Sequence, residues 1–267
     1  MSAPVFLAGP GLLEGLGPGA TYVLDGPEGR HAGVVQRRRA GERVDVADGT
    51  GVRLRCRIAQ VDGGRVVLDV LERVDEPAPG VRLVLVQALA KGDRDELAVE
   101  AATELGVDEV VPWQARRSVV VWRGERAAKS RAKWAAAVRE AAKQSRRARV
   151  PDVAAPVDTR ALAALAARVR AAGGTTVVLH ESATTPLAAV PLPAVPPPAV
   201  PPSAPNDDDA PAVLVVVGPE GGIAEEELDA LESAGAVVVR LGPHVLRTST
   251  AGPVALALLA QRLGRWG

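Results

Sequence analysis

Three short stretches hold most of the residues that could do chemistry: LHES (Leu179 to Ser182), GPEGG (Gly218 to Gly222) and LGPHVLRTST (Leu241 to Thr250). Each follows a run of aliphatic residues, so each is expected at a strand end, and open α/β sheets bind ligands beyond the carboxyl ends of their strands. The three loops can therefore share one crevice. GPEGG matches neither the G-x-G-x-x-G dinucleotide spacing nor the phosphate loop with its lysine. Glu220, Glu225, Glu226 and Glu227 crowd this loop and the first turn of the helix expected after it, where they would repel a phosphate. A plain strand-to-helix turn is the alternative, since glycine serves wherever the backbone bends sharply. Glu220 itself reads as a proton acceptor or as a cap for the following helix, and the cap is the favoured reading. Other chemistries are poorly supported. There is no G-x-S-x-G, and His31, His180 and His244 lie far apart with no serine or cysteine signature near them. Cys56 is the single cysteine, so an intrachain disulfide is impossible, and no metal cluster is expected. Group transfer or binding remains, with backbone atoms doing much of the work.

The elements that must position these loops follow from periodicity. VRLVLVQAL (81–89) predicts a buried strand, DELAVEAATELG (95–106) a helix closed by Gly106, and VDEVVPW (107–113) a second strand. Residues 130–145 predict a long helix with Trp134 and Val138 on one face. Residues 175–181, VLVVVG (213–218) and 236–242 complete five strands, and Pro253 suits the first position of a closing helix, 253–263. Aliphatic, β-branched strands alternating with helices predict an α/β domain with a parallel sheet covered on both faces. Residues 1–74 differ: they read as short β segments (42–49, 52–61, 65–74) with Gly and Asp turns, a small β-barrel whose one helix is expected near 30–39. DEPAPG (75–80) reads as a linker, which leaves 81–267 as the second domain. Within it, 186–211 carries ten prolines in 26 residues and predicts an extended insertion between the third and fourth strands.

Aromatics make up only 2% of the chain, which argues against an exposed base-stacking platform. No run of 18 apolar residues and no targeting pattern is visible, so a cytoplasmic protein without membrane or metal partners is expected. Net charge is zero, but its distribution is uneven: twelve Lys or Arg face two acids between Arg116 and Arg149, whereas 206–232 holds nine acids and no base. Local field steers a polyanion, so Arg116, Arg117, Arg146, Arg147 and Arg149, with Lys91, are candidate RNA contacts. Arg30, His31, Arg37, Arg38 and Arg39 either lie against nucleic-acid phosphates or are simply solvated.

Taken together, VVGPEGGIAEEEL, LGPHVLRTSTA, the block KGDRDELAVEAATELGVDEVVPWQARRSVV (91–120) and KWAAAVREAAKQSRRARVP (133–151) resemble the SPOUT class of RNA methyltransferases. The narrower resemblance is to the RsmE family, which methylates N3 of a uridine in 16S ribosomal RNA, and it covers nearly the whole chain. The resemblance implies a C-terminal domain with a trefoil knot, a PUA-like RNA-binding β domain before it, a homodimer, and S-adenosyl-L-methionine as methyl donor. It further implies that Leu179, His180, Glu181, Gly218, Gly222, Leu241, Gly242, Leu246 and Thr248 surround that donor. Arg247 is the expected catalytic residue, stabilising charge on the uracil oxygens or fixing a phosphate; a structural arginine tying the loops together is the alternative. The chain departs from the family where relatives usually read L-R-x-E-T-A, because Ser249 replaces the glutamate, and His244 stands where arginine is common. Two further readings stay open: a SPOUT enzyme with another RNA target, since fold alone does not fix substrate, and, on the strength of Ser249, an RNA-binding protein associated with ribosomes that has lost turnover.

Overall fold

The computed structural model describes residues 3–195 and 210–266, which divide into two units: Met1–Ala78 with Ala142–Val150, and Pro79–Ala141 with Pro151–Gly267. Most of the proline-rich segment, 196–209, lies outside the described residues.

The first unit is built on a five-stranded sheet. Its strands are β1 (Val5–Leu7), β2 (Thr21–Leu24), β3 (Arg43–Ala47), β4 (Val52–Asp62) and β5 (Arg65–Asp75), in the order β1-β3-β4-β5-β2. All neighbours are antiparallel except β1 and β3. The long β4–β5 hairpin turns through Gly63 at φ 54°, a left-handed position that suits a residue without Cβ. Phe6, Leu13, Leu54, Ile58 and Leu68 fill the core. The helix expected over 30–39 starts earlier, as α1 (Gly26–Arg30) continuing into a π turn over His31–Val35. Two glycines explain the shift. Gly29 and Gly33 lie one turn apart, and a Cβ on either would collide with backbone carbonyls, those of Leu24 and Gly64 for Gly29 and that of Gly63 for Gly33. That approach seats the helix against the hairpin and leaves Arg37, Arg38 and Arg39 beyond its end.

Residues 142–150, which the sequence assigns to the second domain, belong to this first unit. Ala148 is buried with Val5, Leu7 and Ala47, and Arg149 bridges Gly49 and Thr50. Arg53, only 8% exposed, binds Glu76 through Nε and Nη2 at 2.9 and 2.8 Å, and its Nη2 also donates to the Arg146 carbonyl at 2.8 Å. A nearly buried guanidinium needs such saturation, because an unpaired charge there is costly.

The second unit holds a parallel seven-stranded sheet. Its elements are β6 (Arg82–Ala88), α2 (Arg94–Glu104), β7 (Glu109–Gln114), α3 (Gly124–Gln144, whose last three residues fall in the first unit), β8 (Asp152–Val153), β9 (Val157–Asp158), α4 (Thr159–Ala171), β10 (Thr175–Leu179), β11 (Ala212–Val217), α5 (Glu225–Ser233), β12 (Val237–Val239) and α6 (Thr248–Arg262). The sheet order is β12-β10-β11-β6-β7-β8, with β9 also on β7. β6 and β11 are central and almost wholly buried, so their side chains alternate between two covered faces. Val84, Val86, Leu214 and Val216 pack with Leu162 of α4 and Leu231 of α5. On the other face Gly252 of α6 presses on Leu85 and Val217: a Cβ there would lie 2.8 Å from Leu85 Cδ1. In α3 Trp134 and Val138 are buried, and Trp122 meets Trp134 edge-on with ring centroids 5.1 Å apart.

Two expectations need correction. The last helix begins at Thr248, not Pro253, so Pro253 lies inside it and removes one i→i−4 hydrogen bond. The start of the proline-rich insertion is pinned rather than extended: Leu187–Ala189 form a 3₁₀ turn, and Arg262 donates to the carbonyls of Leu187 and Val190 at 3.0 and 2.7 Å. No helix among the described residues is long and apolar enough to cross a membrane.

Candidate active site

β12, β10 and β11 are parallel neighbours, so the three loops after them emerge on one edge of the sheet. Their residues enclose a cavity of about 580 Å³. The β10 loop contributes Leu179, His180 and Glu181, the β11 loop contributes 218–223, and the β12 loop contributes Val245 to Thr248. Leu241 and Gly242 line an adjoining recess of about 140 Å³ that shares Leu179, His180, Glu181 and Leu246 with the larger cavity. All ten residues singled out by sequence for the donor and for catalysis thus line one of two contiguous hollows.

The β11 loop is shaped by its glycines. A Cβ on Gly218 would sit 2.6 Å from Ile223 Cγ1, so only glycine lets Ile223 fold back over the strand end. Gly222 has φ 74° and its N–H closes a turn onto the Pro219 carbonyl at 2.9 Å. Glu220 does not cap α5. Its carboxylate accepts from Arg94 Nη1 at 2.9 Å and from the Lys91 N–H at 3.3 Å. Burial, the largest single influence, pushes the pKa of Glu220 up, but hydrogen bonds from backbone and Arg94 outweigh it and hold the group below the usual carboxylate range. The cap is Glu227, nearly buried, which accepts from the Ala224 N–H at 3.1 Å, the Arg116 N–H at 2.9 Å and the Thr159 hydroxyl at 2.6 Å.

His180 is oriented by its own loop. Its Nδ1 lies 2.8 Å from Ser182 Oγ and accepts the Ser182 backbone N–H at 3.3 Å. An amide N–H can only donate, so in the neutral ring Nδ1 is the acceptor and Nε2 carries the proton. Arg247 is the N-cap residue of α6, exposed, lining the cavity and free of ion pairs among the described residues. Beside it Thr248 is nearly buried, and its hydroxyl donates to the Gly218 carbonyl at 2.8 Å.

The basic candidates separate into two groups. Arg117 lines the cavity and donates to the Gly221 carbonyl at 3.2 Å, Arg116 pairs with Glu226, and Lys91 is exposed beside Glu220. The others belong to the first unit. Arg30 and Arg39 are exposed, Arg38 pairs with Glu42, and Arg37 stands at φ 52°. His31 packs edge-on to Phe6, Arg146 stands at φ 58°, and Arg149 donates to the Glu76 carbonyl at 2.8 Å. Arg147 is half-buried, its N–H bonded to the Ala142 carbonyl at 2.9 Å. Sequence reasoning missed Arg94 on the cavity wall and Gln87 beneath it; the visible signal for Gln87 is one amide following an aliphatic run in its strand.

The fold and site agree with the comparisons to known proteins. Residues 76–260 match the family model described as RNA methyltransferase domain. The chain is 44% identical over 248 residues to ribosomal RNA small subunit methyltransferase E of Mycobacterium bovis, covering 93% of this chain and 89% of the relative. It is 31% identical to the enzyme of the same name from Bacillus subtilis, over 90% of each chain. Among solved structures, ribosomal RNA small subunit methyltransferase E from Neisseria gonorrhoeae, bound to S-adenosyl methionine, superposes with a TM-score of 0.76 at 27% identity, covering 98% of both chains. A Legionella pneumophila structure in complex with the bound cofactor SAM gives 0.78 at 27% identity, again over 98% of both. A family model spanning residues 76–260 and a 44% identity that runs through both units leave one assignment: the chain belongs to the ribosomal RNA small subunit methyltransferase E family of RNA methyltransferases.

Proposed function

We propose that this enzyme transfers a methyl group from S-adenosyl-L-methionine to N3 of a uridine in 16S rRNA of the small ribosomal subunit. The observation that carries the reading is the convergence of the three strand-end loops on one cavity. Its lining suits that donor. Leu179, Val217, Ile223 and Leu246 offer an apolar bed for a purine, and the glycines of the β11 loop let backbone donors and acceptors approach it. Glu181 and Glu220 also line the cavity, and carboxylates that would repel a phosphate are compatible with a cationic ligand. When bound, S-adenosylmethionine supplies an electrophilic methyl group on a positively charged sulfur.

The chain's own residues then have defined tasks. The loops orient uracil N3 toward the methyl, a proximity effect. Arg247, exposed at the cavity and in no ion pair among the described residues, offsets negative charge on the uracil oxygens as N3 gives up its proton to solvent. Ser249 holds no carboxylate and cannot accept that proton. His180, which lines the hollow and whose Nδ1 is already an acceptor, acts through Nε2–H as a donor to an oxygen or nitrogen of a bound molecule. Lys91, Arg116 and Arg117 of the second unit, and Arg30, His31, Arg37, Arg38, Arg39, Arg146, Arg147 and Arg149 of the first, supply positive charge for the RNA, with the first unit acting as a PUA-like RNA-binding domain.

We also infer a knotted second unit and a homodimer, as the resemblance to the SPOUT class implies. Val254 and Leu258, 36% and 43% exposed and four residues apart on α6, with Leu97 at 55% on the neighbouring α2, supply an apolar patch for a second copy. Calorimetric titration of the protein with S-adenosylmethionine tests the donor assignment. Saturable binding is expected, and its absence would overturn the reading.

A further inference from the structure

β6 reads RLVLVQA, and Gln87 is its one uncharged polar residue, fully buried. Its amide nitrogen donates to Thr248 Oγ1 at 2.9 Å and to the Ala88 carbonyl at 3.2 Å. Thr248 has a single hydroxyl proton, and it goes to the Gly218 carbonyl at 2.8 Å. The direction of the relay is therefore set: Gln87 donates to Thr248, and Thr248 donates to Gly218. Three elements are joined at one point, namely β6, the first residue of α6 and the first residue after β11. Both Thr248 and Gly218 line the cavity, whereas Gln87 lies outside it.

The other end of the same side chain has no such use. Gln87 Oε1 is buried beside Gly252 and has no hydrogen-bond partner among the described residues. A buried acceptor left unsatisfied destabilises the fold, and an aliphatic side chain of similar length would avoid that cost. The position therefore trades stability for the orientation of Thr248.

We propose that Gln87 is a positioning residue for the methyl-donor site, acting through Thr248 to hold the start of α6 against the Gly218 carbonyl. The proposal rests on the assignment of the cavity to S-adenosylmethionine. Its distinguishing feature is opposite signs: loss of Gln87 weakens donor binding while leaving the ligand-free protein as stable or more so. A merely structural glutamine would lose both.

The test uses full-length Gln87→Met, Thr248→Val and Thr248→Ser, with S-adenosylmethionine affinity by calorimetry and the melting temperature of the ligand-free protein. Gln87→Met is expected to bind about tenfold more weakly, the size of one hydrogen bond's net contribution, with an unchanged or higher melting temperature. Thr248→Val is expected to weaken binding similarly, and the double variant no further, since both cut one relay. Thr248→Ser, which keeps the hydroxyl, is expected to restore most of the affinity lost in Thr248→Val. Wild-type affinity in Gln87→Met, or a lowered melting temperature there, overturns the proposal while leaving the site assignment intact. A wild-type protein that binds no S-adenosylmethionine overturns the site assignment and the proposal with it.

Discussion

The backbone N–H of Ser182 donates to Nδ1 of His180 at 3.3 Å, which fixes how the one histidine shared by both hollows presents itself. A ring whose Nδ1 is already an acceptor offers Nε2–H outward and is a donor rather than a proton acceptor. Nitrogen NMR of labelled protein above neutral pH is expected to show His180 as the Nε2–H tautomer. Observation of the Nδ1–H form would contradict this role and reopen His180 as a base.

Gly218→Ala probes the packing of the donor loop. The new methyl must displace Ile223, whose Cγ1 would lie 2.6 Å away, and with it the wall of the cavity. Affinity for S-adenosylmethionine is expected to fall by more than tenfold. At Gly222 the penalty is conformational: alanine at φ 74° costs about 1–2 kcal/mol. Equilibrium unfolding of Gly222→Ala should show a loss of that size, and unchanged stability would mean that the loop takes another shape.

Asp95, at the start of α2, is nearly buried, and burial pushes its pKa up to about 6 despite hydrogen bonds from the N–H groups of Ala90 and Glu96. The sign follows from proton counting. Between the unfolded value near 4 and about 6 the folded state binds more protons, so this group makes stability fall as pH rises through that window. Asp95→Asn should remove that contribution, so the stability of the variant minus that of wild type should rise from pH 4 to pH 7. A difference independent of pH would show that Asp95 titrates normally.

Arg247→Ala should lower methyl transfer on the order of a hundredfold, the range seen when a group stabilising developing charge is removed. Because the side chain is exposed, the melting temperature should hardly change. Near-normal turnover would return Arg247 to a structural role.

How much of this was visible in the chain depends on how local each cause is. The aliphatic strands 82–88, 175–179 and 212–217, and the loops after 179, 217 and 239, follow from periodicity and from glycines at strand ends. α4 (Thr159–Ala171) escaped notice because its alanine-rich sequence has only a narrow apolar stripe of Leu162, Ala166 and Val169. β1, β2, β8 and β9 are two to four residues long, too short for periodicity to register. Pro253 misled the start of α6, since a proline with no visible partner is read as a first-turn residue, while the true start is set by Thr248 bonding across to Gly218. The membership of 142–150 in the first unit rests on Arg53 and Ala148, contacts between residues far apart in sequence. The cap of α5 fell to Glu227 instead of Glu220 for the same reason: Arg94 takes Glu220, and Thr159 and Arg116 help hold Glu227.

The most direct measurement is nucleoside mass analysis of 16S rRNA in small subunits from a strain lacking this enzyme, before and after incubation with the purified protein and S-adenosylmethionine. The expected result is 3-methyluridine gained with wild type and missing with Arg247→Ala. An rRNA left unmodified by the wild-type protein, or methyl groups found only on another nucleoside, would contradict uridine-N3 methylation as the function.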